Sequence, residues 1–405
     1  MPLYPTYAPE FVIRLNGQPL PAALKASISS ITYEDGMKGA DRVEVSFANP
    51  SLRWLDHPLL SVDTPFSLSI GYAPDPLEEV FVGEITGVEP AFPSSGMPTL
   101  RVTAQDLLNR LTHGTKDRAF RIDIPSFANF PLPDAVVASI VSATNLLLPE
   151  PDPVGGALSA IMTLATYLSF PQESQRAVRH QEKETDFDFL SRIAQENGWE
   201  MFIDHTQSPK GRVLKFQFLI QQYTPSLTLK WGASLMEFTP RLTTVGDVSG
   251  VATRIWVDSL QTDFVIVVGW DFDRATFNLS VYPSVGAEIE EILPEEDKGK
   301  VLAGKGNSYV TAARYILSDL LPRLNNRLTG TGSCIGDPRI KASRVIRLDG
   351  LGDQFSGLYR ITSATHTFDT GGYRTSFNAR KEVWFGSIPL PKAGRVVKLQ
   401  GEFSA

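Results

Sequence analysis

"VRHQEKETDFDFLSRIAQENGWEMFID", residues 178–204, is the stretch on which the reading of this chain turns. Charged residues crowd its first half, and an apolar pattern closed by a glycine fills its second. Thr185, followed three residues later by Asp188, resembles a capping box, and Asp186 and Asp188 fall in the first turn, where the helix dipole favours negative charge. Phe189, Leu190, Ile193 and Ala194 recur at i, i+3 and i+4 spacing, and Gly198 stands where a left-handed residue ends a helix. Glu184, Asp186 and Asp188 also make a carboxylate cluster of the kind that holds a divalent cation or moves protons. Capping accounts for each position, so the spacing predicts a helix made to be packed against something rather than a reactive site.

Working outward, period-two alternation dominates. "RVEVSFANP" places Val43, Val45 and Phe47 on one face, and "PFSLSIGY" does the same with Phe66, Leu68, Ile70 and Tyr72. "TLRVTAQ", "RVLKFQFLI", "SLTLKW", "DFVIVVGW", "ASRVIRL", "GLYRITSATHTFD" and "GYRTSFNARKEVWF" continue the pattern, with Gly, Pro, Asp or Asn at most junctions. These strands fall into two blocks, separated by helical signals at 134–148, a Pro/Gly-rich stretch "PEPDPVGG", an apolar patch to Phe170 and the opening motif. A second interruption carries an acidic run and a predicted helix over about 308–321.

Bulk properties narrow the function. A chain of 405 residues exceeds the roughly 250–300 at which one core stops growing, so two to four domains are expected. A net charge of −7 opposes binding nucleic acid through phosphate neutralisation. The longest apolar stretch, 134–148, is too short and too polar to span a bilayer, and "MPLYPTYAPEFVIRL" lacks the pattern of a secretory signal. With one cysteine, Cys334, the chain forms no intrachain disulfide and no cysteine metal cluster. The five histidines show no metal-ligand spacing. "GKVLAGKG", 299–306, matches a phosphate-binding loop except at its last position, where Gly306 replaces the Mg²⁺-binding Ser or Thr. "DFDR", 271–274, reads as a hairpin turn rather than a metal site. No enzyme, metal or cofactor is expected.

The opening motif, followed by "LKWGASLMEFTPRLT", resembles the hub proteins of contractile tails: the phage late control D family and the hub portion of type VI secretion spike proteins. Gln181, Glu184, Thr185, Asp186, Phe189, Leu190, Arg192, Gly198, Trp231 and Gly232 carry the likeness, with "DRVEVSFANP", "VFVGEITGVEP" and "GLYRITSATHTFDTGGYRTSF" as further signs. It covers about nine-tenths of the chain and is weakest near 149–170.

The resemblance implies a mainly β fold with α+β insertions: two tail-tube-like β-barrels and a mixed α/β middle domain per chain. The first barrel would span 1–115, completed by about 211–245; the middle domain 116–210; the second barrel 246–286 and 341–385, with 287–340 as a helical insertion. Three such chains would form a baseplate hub joining a sixfold tail tube to a threefold spike, assembled in the bacterial host cytoplasm. Partners implied are further copies in a homotrimer, a separate spike protein, tail tube, baseplate wedge and tape measure proteins. The tail 386–405 would point toward the spike through Val396, Val397, Leu399 and Phe403. A cell-wall hydrolase of the baseplate and a receptor-binding adhesin are the rival readings.

Overall fold

A computed structural model of the chain describes residues 8–124, 127–169, 178–218, 223–243, 250–257, 262–271, 276–283, 291, 301–304 and 320–385. In chain order the strands of the first half are β1 (Ala8–Leu15), β2 (Gln18–Pro19), β3 (Ile28–Gly36), β4 (Arg42–Ala48), β5 (Pro65–Ala73), β6 (Glu78–Ala91) and β7 (Thr99–Gln105). The middle holds β8 (Lys116–Ile124), β9 (Phe127–Pro131), helix α1 (Asp134–Thr144), β10 (Leu148–Pro151), helix α2 (Pro153–Ser169), β11 (Arg179–Glu184), helix α3 (Asp186–Glu196), β12 (Trp199–Asp204) and β13 (Val213–Phe218). Then come β14 (Leu227–Lys230), β15 (Leu235–Leu242), β16 (Gly250–Val257), β17 (Thr262–Asp271), β18 (Thr276–Pro283) and β19 (Val301–Gly304). β20 (Leu328–Ile335), β21 (Val345–Asp349), β22 (Gly357–Asp369) and β23 (Gly372–Arg380) complete the series. The fold is mainly β, and each stretch read as alternating forms a strand.

The strands of the first block and those of 341–385, with β14, β15 and β20, are hydrogen-bonded into one thirteen-stranded sheet, ordered β15-β20-β23-β22-β3-β4-β7-β6-β5-β1-β2, with β14 on β21 and β21 on β22. Strand pairing closes neither half into a ring among the described residues. The joint is the antiparallel pair β3 and β22, where Tyr33 faces His366 and their rings stack 5.5 Å apart. Alternation sets which side chains go inward: Val43, Val45 and Phe47 from β4 and Phe66, Leu68 and Ile70 from β5 are buried in a first core, which also takes Phe368 and Tyr373 from the second half. A second core lies under β20, β21, β22 and β23 around Ile346, Leu348, Tyr359, Ile361 and Phe377. Each such side chain contributes about 1.5–3 kcal/mol on burial. In β20, Gly330 and Gly332 leave room for rings: an added Cβ would fall 2.4 Å from Phe238 and 2.6 Å from Phe377.

Strand partners differ from the expected blocks. Val213–Phe218 joins the middle module, antiparallel to β12 and parallel to β10. Leu227–Lys230 and Leu235–Leu242 pair with β21 and β20 in the second half, not with the first block. β16, β17, β18 and β19 form a separate four-stranded sheet, and Leu328–Ile335, expected within a helical insertion, is a central strand of the large sheet. Alternation specifies a strand and its buried face, whereas any strand's backbone can pair with any other, so partner choice awaits the assembled core. The helix expected over 308–321 lies outside the described residues up to 319.

The middle module is built around the opening motif. α3 lays Phe189, Leu190, Ile193 and Ala194 against Trp199, Met201, Leu214 and Phe216 of the β10-β13-β12 sheet and Val137 and Val141 of α1. Asp152, just before Pro153, accepts from the backbone N–H groups of Val154 and Gly155 at 2.9 Å, so the Pro/Gly-rich stretch contains a capped helix start rather than a linker. α2 then approaches so closely that a Cβ at Gly155 would lie 2.5 Å from Trp199 Nε1.

Candidate functional site

The residues of the motif converge on one carboxylate. Thr185 is the N-cap of α3; its hydroxyl accepts from the Asp188 N–H at 3.0 Å and donates to the Asp188 carboxylate at 2.7 Å. Asp188 is exposed, as a first-turn acid serving the dipole can be. Asp186 is different: it is buried and accepts from Lys116, from Arg118, from Asn145 Nδ2 at 2.8 Å and from Gln181 Nε2 at 3.0 Å. Burial alone would push its pKa up, but the hydrogen bonds from Lys116, Asn145 and Gln181 and the charge of Arg118 hold it below the usual carboxylate range. Gln181 also accepts from Arg118 Nε at 2.8 Å and donates to the Glu184 carbonyl at 3.1 Å. Arg192 bridges the Glu184 carboxylate and the His180 carbonyl.

Gly198 follows the C-cap Asn197 with φ +67°, the left-handed residue its position called for. Asn197 donates to Asp134 at 2.7 Å, and Arg179 grips the same carboxylate with two hydrogen bonds of 2.7 and 2.8 Å. Both ends of α3 are therefore tied by buried charge to β8, β11 and α1. Trp231 and Gly232 are not part of this lock. They form the turn between β14 and β15, where Gly232 has φ +76° and donates to the Leu235 carbonyl and Trp231 is 59% exposed. Val396, Val397, Leu399 and Phe403 lie outside the described residues.

A second polar cluster sits where the middle module meets the large sheet, and no local pattern announces it. His205, just past β12, places Nε2 3.2 Å from Asp41 and 3.9 Å from Asp106. Asp41 also accepts from Tyr33 at 3.2 Å and from the Gly36 N–H at 3.1 Å, and Asp35 nearby accepts from the Ala342 N–H at 2.9 Å. Asp41, Asp106 and His205 offer atoms within 4.8 Å of one another, a grouping that a divalent cation can use. The histidine tautomer opposes it: the Val82 N–H donates to Nδ1 at 3.2 Å, so in the neutral ring Nε2 carries the proton and faces Asp41 as a donor. The adjoining cavity, lined by Asp35, Asp204, Lys215 and Lys341 among others, holds about 90 Å³, against about 300–1,000 Å³ for small-molecule sites.

Burial, reinforced by the charge of Asp41, pushes the Asp35 carboxyl up to about 8. An acid whose folded pKa lies above its unfolded value near 3.9 binds more protons folded than unfolded between those values, so stability falls as pH rises through that window. Asp35→Asn is expected to flatten the loss of thermal stability between about pH 4 and pH 8. Melting curves across that range check it; unchanged pH dependence would place the titration elsewhere.

These clusters are internally hydrogen-bonded and serve as joints. Among the residues that the sequence singled out, Gln181, Glu184, Asp186 and Arg192 are hydrogen-bonded between elements.

No family model and no curated protein matches the sequence. The fold is that of phage tail and type VI secretion proteins. The 43 kDa tail protein of prophage MuSo2 from Shewanella oneidensis aligns at 13% identity with a TM-score of 0.59, covering 92% of this chain and 98% of that one. A tail protein from Neisseria meningitidis MC58 aligns at 12% identity and 0.57, covering 94% and 98%. The E. coli c3393 protein, a type VI secretion component with structural similarity to the T4 bacteriophage tail proteins gp27 and gp5, aligns at 13% and 0.55, covering 93% and 79%.

Proposed function

We propose that this chain is a structural, non-enzymatic hub of a contractile tail baseplate, in a phage or a related injection particle. Three copies join the sixfold tail tube to a threefold spike formed by another protein. The observation that carries this reading is the shared fold over 92% of this chain and 98% of a phage tail protein, together with the two strand groups joined through β3 and β22. Two tube-like units per chain need three copies to present six to a sixfold tube. Tube, wedge and tape measure proteins are the further neighbours. The net charge of −7 suits a conduit that passes DNA without retaining it.

The residues beyond Phe385 dock on the spike in this scheme, with Val396, Val397, Leu399 and Phe403 entering apolar pockets while the backbone pairs with a spike edge. The full chain, alone or co-expressed with the spike, is expected to be a trimer by light scattering. A chain ending at Phe385 is expected to remain a trimer and to lose the spike on co-purification. A monomer under both conditions overturns the hub reading, and undiminished spike binding by the shortened trimer overturns the role of the tail.

A further inference from the structure

The middle module meets the large sheet along a seam rich in buried acids. His205 comes from the module, just past β12, and Asp35 and Asp41 come from the sheet, at the end of β3 and just before β4. Asp106 stands where the chain leaves β7 for the module, whose core takes Leu107, Leu108 and Leu111. All four are buried, and the cavity of about 90 Å³ lies between residues of β12 and β13 on one side and of β3 and 341–344 on the other.

The charges of this seam do not balance. Asp41 accepts from Tyr33, from the Gly36 N–H and from His205 Nε2. The Val82 N–H donates to His205 Nδ1, and protonating the ring would set two N–H groups against each other there. Asp106 has one oxygen on the Leu108 N–H and places a carboxylate oxygen within 4.8 Å of Asp41 and His205. Asp35 accepts from the Ala342 N–H. The lysines at the rim are engaged by other acids: Lys341 by Glu78 at 2.6 Å, Lys215 by Asp204 at 2.8 Å and Lys210 by Glu79 at 2.8 Å. Arg344 lines the cavity but is exposed. His366, stacked on Tyr33, has Nε2 on the Ile340 carbonyl and is held by burial down at about 4. Three carboxylates buried this close, with a neutral imidazole between module and sheet, ionise together only at high cost.

We propose that the seam is a proton-held latch: it stays closed while Asp35 and Asp106 carry protons, and the middle module lifts from the sheet along the cavity when both ionise beside Asp41. Burial and the charge of Asp41 push Asp35 up to about 8 and Asp106 well above the usual carboxylate range. Both folded values lie above the unfolded ones, so closure is fully stabilised below about pH 4 and is lost as pH rises through about 8. The inference goes beyond the hub reading and holds whatever the chain assembles with.

The test uses the full chain in buffer containing a chelator. Ser343 is buried in the seam with its hydroxyl 3.4 Å from Gln217 of β13, so Ser343→Cys places a thiol there, and Ala342→Cys takes its place if that variant does not fold. Cys334, buried in the core of the second half, is the internal control. Labelling by a disulfide reagent, read by peptide mass and divided by the rate for the urea-unfolded chain at the same pH, gives the protection of each thiol. Protection at position 343 is expected to fall more than about tenfold from about pH 6 to about pH 9 while Cys334 stays protected, and to fall at most about threefold when Asp35→Asn and Asp106→Asn are added. Glu200, on Arg380 at 3.2 Å and pushed by burial to about 7, titrates in the same sense; it is present in both chains, so the difference between them belongs to the seam. Equal protection at both pH values, an undiminished fall in the Asn variant, or labelling of Cys334 together with position 343 overturns the inference. If the double Asn variant fails to fold, Asp35→Asn alone decides: a smaller fall supports the latch and an undiminished one overturns it.

Discussion

Ile193→Asp is expected to leave the middle module unfolded. Ile193 is fully buried in α3, among Val137, Leu190 and Phe216. Losing a large aliphatic side chain from such a site costs about 2–5 kcal/mol, and the unpaired carboxylate adds several more. Domains carry only about 5–15 kcal/mol in all, so the sum consumes most of the stability available. Leu190→Asp is expected to behave alike, since Leu190 is also fully buried. Asp188→Asn, on the exposed rim of the same helix, keeps the acceptor for the Thr185 hydroxyl and is expected to cost about 1 kcal/mol or less. Limited proteolysis and circular dichroism melting compare the three. A cooperatively folded Ile193→Asp variant would contradict the packing described, and an assembly defect in a well-folded Asp188→Asn variant would return a chemical role to the acids of the motif.

Glu382→Gln is expected to destabilise the second half by about 3–5 kcal/mol, the cost of breaking a buried ion pair. Glu382 and Arg360 are both essentially inaccessible, with Arg360 Nε donating to Glu382 at 2.7 Å. Arg360 also donates to the Ser343 carbonyl at 2.8 Å. Arg380 shares Glu382 at 3.0 Å and reaches Glu200 of β12 at 3.2 Å, so the network also fastens the middle module to the large sheet. Neutralising Glu382 removes the charge that Arg360 holds at 2.7 Å and that Arg380 shares; Glu200, the other carboxylate on Arg380, is pushed up by burial to about 7 despite Arg380 and Arg360. Urea unfolding measures the effect: a lower midpoint at constant slope is expected. A change below about 1 kcal/mol would mean that water reaches this pair.

How much was legible in the sequence depended on distance along the chain. The face each strand buries could be read from neighbours two residues apart, as Val43, Val45 and Phe47 illustrate, because the pleat alternates side chains whatever the strand pairs with. The cap, length and stop of α3 were legible for the same reason: Thr185, the apolar quartet and Gly198 act on groups within a few residues. The same acids also show where local reading stopped. Asp188 is the dipole acid it looked like, whereas Asp186 answers to Lys116 and Arg118, some seventy residues earlier, and nothing in "ETDFDF" separates the two. His205 and Asp41, 164 positions apart, left no pattern at all.

By itself, therefore, the sequence determined a mainly β chain, the inward face of its strands and a capped, packed helix at residues 186–196, all consequences of short-range sterics and periodicity. Only the tertiary structure decided that β14 and β15 belong with β20 and β21, that the first block shares one sheet with the strands of 341–385 while β16, β17 and β18 stand apart, and that buried charges join the middle module to that sheet. Backbone hydrogen bonding is the same for every strand, so pairing is selected by how the whole set of apolar faces can be buried at once. Buried charges then persist where that burial brings them a partner.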